Sequence, residues 1–332
     1  MKHPISIAGG GLAGLSLGIA LQSRGVPVTL YEASTYPRHR VCGEFISGVR
    51  DETLAALGID GCLAGATSLQ SVSWSDGAGK LAEMDAPGRG VSRWQLDDLL
   101  QRQFVAQGGT LHTNSRAVPA VGVVWAAGRP RKPSPWLGLK CHARRLALSH
   151  DLEMFTSPFG YVGLSKIEDG KVNICGLFKS GRTDGAKGTG LLIAVLRRCA
   201  LNALADRLED AELDESSFCG AAGFQTGTQD GPSFRIGDAA AMIPPFTGNG
   251  MSMAFESAEC GLQPALDYAS GRISWTEAGE AAAAGQSARF RRRMTTAGLL
   301  HRFLMNPTGL KLIGALARSG CLPFQSILHL VR

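Results

Sequence analysis

The chain has 332 residues, 44% of them hydrophobic and 19% charged, which provides for a sizeable core and excludes wholesale disorder. Its net charge of +6 is local: residues 281–332 hold eight basic side chains (Arg289, Arg291, Arg292, Arg293, Arg302, Lys311, Arg318, Arg332) and no acidic one. Residues 1–280 therefore carry 26 basic and 28 acidic groups, which argues against a nucleic-acid-binding body, and no apolar run reaches the roughly 18 residues of a spanning helix.

The chain opens on MKHPISIAGGG, without a signal-peptide core. Its eight cysteines include no CxxC pair, so neither a zinc ribbon nor a disulfide framework is indicated, and reduced thiols in a cytoplasmic protein are expected. Residues 4–8 read as a buried strand, 12–25 as a helix stopped by Gly25, and 26–31 as a second strand ending at Glu32. That is a βαβ unit and implies a parallel sheet. Helices are predicted over 51–57 and 95–107, strands over 109–112 and 119–127, and further strands between 137 and 178 with a turn at Glu168-Asp169-Gly170. A helix follows over 188–208, then a short strand at 235–237, a small-residue helix over 250–268, and one or two helices over 276–305.

Two motifs carry chemistry. Gly9-Gly10-Gly11-Leu12-Ala13-Gly14 fits GxGxxG between the first strand and helix. Gly9 permits the turn, Gly11 lets backbone approach a pyrophosphate, and Gly14 allows close helix packing. The helix N-terminus offers free N–H groups to phosphate. Glu32 stands where a carboxylate accepts from a ribose 2′-hydroxyl, and it disfavours the 2′-phosphate of NADP at this site. More than 200 residues later, Gly237-Asp238 leads through Pro244-Pro245 into Thr247-Gly248-Asn249-Gly250-Met251. This reads as a second backbone cradle, with Asp238 able to bond a polyol hydroxyl.

With both motifs in this order, the chain resembles the flavoprotein superfamily of p-hydroxybenzoate-type aromatic hydroxylases and geranylgeranyl reductases. The resemblance implies FAD. It gives Gly237 and Asp238 the ribityl and pyrophosphate role and sets Pro245, Gly248, Asn249, Gly250 and Met251 along the isoalloxazine. Arg93 opens a helix as a similar family arginine does near the cofactor phosphates; a solvated surface arginine is the competing reading. Arg40-Val41-Cys42-Gly43-Glu44 resembles the Cys-Gly-Gly segment of the reductases, with Glu44 in place of the second glycine. It makes Arg40 a cofactor contact and Cys42 and Glu44 catalytic candidates, against the plainer reading of Cys42 as a small buried hydrophobe.

The resemblance implies an α/β fold: a GxGxxG-type, Rossmann-like FAD-binding domain (1–70, 90–136, 225–270) interleaved with an α+β substrate domain (71–89, 137–224) containing an antiparallel sheet. A C-terminal helical segment (271–332) completes it. Three departures are visible. Only Thr113–Gly122 stands where family members carry a β-meander. Trp125-Ala126-Ala127-Gly128 lacks the Asp of the hydroxylases' Asp-Gly motif, and Ala241-Met242 replaces their histidine. The halogenase Gly-Trp-x-Trp-x-Ile-Pro motif is absent.

The function expected is FAD-dependent oxidation chemistry on an apolar or aromatic small molecule, monooxygenation first, with NAD(P)H as candidate electron donor. Reduction of carbon–carbon double bonds is the alternative, and a non-catalytic flavin-binding protein the alternative of another class. No metal spacing is found. His39 and His142 read as structural, and Tyr161 as core or cavity wall. Arg289–Arg293 reads as a solvated helix face. The leucines beside it either close the substrate cavity or rest on an anionic membrane.

Overall fold

The computed structural model describes residues 3–130, 133–224 and 226–322. In chain order the elements are β1 (Ile5–Ala8), α1 (Leu12–Gln22), β2 (Val28–Tyr31), β3 (Phe45–Ile46), α2 (Asp51–Leu57), β4 (Thr67–Asp76), β5 (Gly79–Gly90), α3 (Arg93–Ala106), β6 (Thr110–His112) and β7 (Val123–Trp125). There follow β8 (Trp136–Arg144), β9 (Leu152–Ser157), β10 (Gly160–Lys166), β11 (Val172–Lys179), α4 (Gly188–Arg198), α5 (Asn202–Glu209) and β12 (Glu212–Ala222). Two short strands, β13 (Gly227–Thr228) and β14 (Ala241–Met242), precede α6 (Gly250–Ser270), α7 (Trp275–Leu304) and α8 (Pro307–Arg318).

The first sheet is parallel, in the order β6-β2-β1-β7. Helix α1 covers it, with every residue from Leu12 to Leu21 buried. A helix this apolar on all sides needs partners all round, and it has them: β1, β2, α2, α3 and α6. Residues 113–122 contain no strand, so the chain runs from β6 to β7 without a meander, as the short spacing predicts. The strand predicted at 235–237 is not formed. Arg235 makes a single bridge with Trp125, and Gly237, at φ +62°, turns the chain out of extended conformation.

The second sheet has eight strands, in the order β12-β8-β11-β10-β9-β4-β5-β3. All its pairs are antiparallel except β4 with β9, so the predicted antiparallel sheet is mixed at one seam. Its two faces do different work. Val162, Leu164, Ile174 and Phe178 point to a core shared with α4 and α5. The alternate residues Tyr161, Gly163, Cys175 and Leu177 point to a cavity, as the two-residue period of a strand requires.

The helix predicted over 188–208 is two helices. Ala200, at φ +57°, breaks the α-helical path, and Leu201 bonds back to Leu196 to close α4. Helix α7 runs unbroken for 30 residues from a capping box of Ser274 and Glu277. Its arginines correct the expectation of a solvated face. Arg293 is 8% exposed and pairs with Glu256, while Arg289 reaches Glu256 and Glu259 on α6. Arg291 and Arg292 are exposed. Leu304, Leu310 and Ile313 turn inward; Leu299, Phe303, Leu312 and Leu316 stay exposed. Arg332 lies outside the described residues. Among those residues, no helix is long and apolar enough to cross a membrane.

Candidate functional site

The site begins where β1 delivers the chain to α1. A Cβ on Gly9 would sit 2.3 Å from the Ala126 carbonyl oxygen, and one on Gly14 would sit 2.0 Å from the Gly9 carbonyl oxygen. Both positions are closed to side chains by backbone. Gly11 differs: the nearest atom to its added Cβ is an Arg93 nitrogen at 3.8 Å. The space above Gly11 is open, and it faces the N-terminus of α1, where no side chain caps the helix. That is the geometry of an anion cradle.

Glu32, at the end of β2, is 4% exposed. Its carboxylate accepts from Gly10 N–H (2.8 Å) and Ser34 N–H (3.0 Å), and it pairs with Arg38 (3.0 Å) and Arg40 (3.6 Å). Arg40 also donates to Asp97 (3.0 Å), which Arg93 grips with two nitrogens at 2.7 and 2.8 Å. Asp97 is fully buried. The two arginines are thus aimed by one carboxylate, and Arg40 Nη2 is buried without a hydrogen-bond partner. Arg93 is the first residue of α3, one position past the Ser92 cap, so the surface reading of Arg93 gives way. Arg38, which sequence reasoning passed over, lines the same space; its place in the Arg38-His39-Arg40 run after β2 was the available signal.

The second motif packs directly on the first. An added Cβ on Gly237 would lie 2.9 Å from that of Ala13 in α1. Asp238 follows and lines the cavity. Burial raises its carboxyl above the ordinary range, while the Arg129 and Arg93 charges oppose that rise. Pro245, Gly248, Gly250 and Met251 line the cavity at the N-terminus of α6. Asn249 does not. It is fully buried, it accepts from the Ser47 hydroxyl at 3.5 Å, and its backbone caps α6. Its side chain thus packs into the interior rather than along the cavity lining.

The segment after β2 divides in the same way. Cys42 lines the cavity; burial pushes its thiol up, partly opposed by the charge of Arg93. Glu44, the other catalytic candidate, is not among the lining residues. It is fully buried at φ +53°. One carboxylate oxygen accepts Arg93 N–H (3.0 Å) and meets the Lys140 ammonium at 3.3 Å, and the other meets His142 Nε2 at 2.6 Å. Burial alone would raise this carboxyl; the His142 hydrogen bond and the Lys140 charge hold it below its usual range. Lys140, itself fully buried, also contacts His39 Nδ1 at 3.0 Å. Burial and Lys140 push the His39 imidazole down to about 4. Glu44 thus contacts Arg93, Lys140 and His142 and does not reach the cavity lining.

Groups from both motifs border one cavity of about 950 Å³, whose lining falls into a polar limb and an apolar limb according to the elements that supply it. The polar limb holds Gly9, Gly11, Glu32, Arg38, Arg40, Arg93 and Asp238. The apolar limb is walled by Val72, Trp74, Met84, Met154, Tyr161 and Leu177 from the second sheet, and by Leu300, Leu304 and Ile313 from α7 and α8. Cys42, Phe246 and Gly248 also line the cavity.

No family model matches the sequence, and no curated protein matches it. Solved structures do match in fold. PqsL of Pseudomonas aeruginosa in complex with 2-aminobenzoylacetate shares 15% identity at a TM-score of 0.73, over 94% of this chain and 99% of that one. The flavin-dependent brominase Bmp2 shares 17% at 0.74, over 100% and 93%. The p-nitrophenol 4-monooxygenase PnpA of Pseudomonas putida DLL-E4 shares 14% at 0.72, over 98% of each chain. The chain has the fold of these proteins: a Rossmann-like parallel sheet with a larger mixed sheet beside it.

Proposed function

We propose that this protein is an FAD-dependent oxidoreductase acting on a small apolar or aromatic molecule, with monooxygenation as the reaction. The observation that carries this reading is one cavity in which a glycine turn, Glu32, Arg40, Arg93 and Asp238 border one limb and an apolar wall borders the other. FAD fits the polar limb. The space above Gly11 is open, and Arg40 presents a buried nitrogen that makes no hydrogen bond, only the 3.6 Å ion pair with Glu32. Glu32 would take the ribose, Arg40 and Arg93 the pyrophosphate, Asp238 the ribityl chain, and the turn from Pro245 to Met251 the edge of the ring. Bound there, the cofactor supplies redox chemistry that no side chain possesses.

The rest falls to the chain itself. Met84, Met154, Leu177 and Leu304 exclude water from the limb where substrate sits, which strengthens every polar interaction inside it. Cys42 stands at the cavity wall with its thiol protonated at neutral pH, since burial raises it. Of the proteins that share this fold, one is seen in complex with an aromatic compound, 2-aminobenzoylacetate, and another is named for p-nitrophenol, which supports an aromatic substrate here.

Denaturing the purified protein and identifying the released flavin tests the cofactor. A colourless protein that takes up no added FAD ends the reading. For the reaction, the protein is supplied with NADH or NADPH, ¹⁸O₂ and a panel of alkylphenols. One labelled oxygen per product molecule is expected. Turnover of an alkene without oxygen would instead establish double-bond reduction, the reading favoured by the Cys42-Gly43 loop at the cavity wall. A flavin that is reduced and reoxidised without product would mark a binding protein.

A further inference from the structure

The cavity residues contributed by the second sheet and the last two helices include no charged side chain among the described residues. A carboxylate held against those residues would lose its hydration and find no cation among them, which is strongly unfavourable; the Arg129 guanidinium at the same cavity is stacked on Phe224. One polar group in the wall is unsatisfied. Tyr161 is 4% exposed, and its hydroxyl is buried without a hydrogen-bond partner. The Phe246 backbone N–H approaches it outside hydrogen-bonding geometry, and the hydroxyl proton has no acceptor. Burial holds the phenol well above its usual range, so it is a neutral donor.

The neighbourhood repeats the pattern. The Tyr161 ring meets Phe246 edge-on at 6.1 Å, and His301 stacks on Phe246 at 5.9 Å. His301 Nδ1 is also buried and unpaired, and burial lowers that imidazole toward its neutral form. Native interiors rarely leave buried donors without acceptors, and each exception calls for an explanation such as a ligand.

We propose that the apolar limb selects an uncharged, largely apolar substrate bearing one acceptor oxygen, a hydroxyl or carbonyl, which takes the Tyr161 proton donor. This rests on the reading above only in treating the apolar limb as the place of the substrate.

Isothermal titration of the purified protein with 4-propylphenol, propylbenzene and 4-propylbenzoate tests it, with FAD content measured separately. Wild type should bind 4-propylphenol about five- to thirty-fold more tightly than propylbenzene, the worth of one buried hydrogen bond. It should bind 4-propylbenzoate weakest of the three. Tyr161→Phe, with unchanged FAD content, should bring the phenol to within about twofold of propylbenzene. Tyr161→Met gives a second variant without the hydroxyl should the first fail to fold. A variant that keeps the wild-type preference, tightest binding of the benzoate, or no binding of any probe by FAD-replete protein overturns the proposal. A protein without FAD that still prefers the phenol would sink the flavoenzyme reading and leave this assignment standing.

Discussion

The three glycines of the first motif make opposite demands, and a pair of alanine variants separates them. At Gly14 an added methyl lies 2.0 Å from the Gly9 carbonyl oxygen, and backbone cannot retreat the way a side-chain end can. Gly14→Ala must push α1 away from the turn and should cost about 2–3 kcal/mol, at the upper end of overpacking. For a chain of this size that is a fall in melting temperature of roughly 3–4 °C. At Gly11 the methyl meets nothing closer than 3.8 Å, and the backbone is extended at φ −89°. Alanine is a poorer helix cap than glycine by several tenths of a kcal/mol, but it restricts the unfolded chain by a similar amount, so stability should hardly change. What the methyl fills is the approach of a pyrophosphate to the first turn of α1. Loss of two or more charge-assisted backbone hydrogen bonds should weaken FAD by at least about thirty-fold. Thermal denaturation of the flavin-free proteins and fluorescence titration with FAD give the two readouts. The reasoning fails if Gly11→Ala melts with Gly14→Ala, or if it binds FAD as wild type does.

Three further outcomes are expected. Asp238→Asn should weaken FAD roughly five- to a hundred-fold by removing a charged acceptor. Because burial raises the Asp238 carboxyl, its ionised form opposes folding once pH exceeds the raised value, so the flavin-free variant should melt no lower than wild type at pH 7; a lower melting point would contradict the burial argument. Glu44→Ala leaves Lys140 buried without its carboxylate and should cost about 3–5 kcal/mol, read as insolubility or a collapsed melting temperature; a fully stable variant lacking only turnover would restore Glu44 to the chemistry. His39, held down to about 4 in the folded chain, binds a proton more readily when unfolded. Stability should therefore decline as pH falls from about 6.5 toward 4, and His39→Gln should flatten that part of the profile in melting experiments across pH.

What the sequence made legible was local. Gly9, Gly11, Gly14 and Glu32 lie within a single strand–helix–strand unit, where 24 residues carry the turn, the helix start and the ribose acceptor together. Asp238 and the turn after it were legible through their resemblance to a known pattern. The second sheet was only half visible. β10 and β11 announce themselves with Val, Ile, Leu and Phe, but β4 (TSLQSVSWSD) and β12 (ELDESSFCGAA) are polar, and bulges in their pairing blur the alternation. The break between α4 and α5 has no proline or glycine to mark it; Ala200 adopts the left-handed conformation because tertiary packing of Leu201 and Leu204 demands the turn. The Glu44–His142 contact joins residues 98 apart, and Lys140, in a Lys-Cys-His alternation, looks like an ordinary outward-facing strand residue. Tyr161 could be placed in a strand from sequence, but its missing acceptor is a property of three dimensions alone.

The buried Lys140–Glu44–His142 cluster also bears on how the chain reaches its folded state. Glu44 immediately precedes β3 at one edge of the mixed sheet, whereas Lys140 and His142 sit on β8 near the other end of its strand order. A mixed sheet in which these two regions had not yet met would leave ionisable groups in its interior without their partners. The burial of these groups is thus tied to completion of that sheet, which penalises half-assembled forms of it.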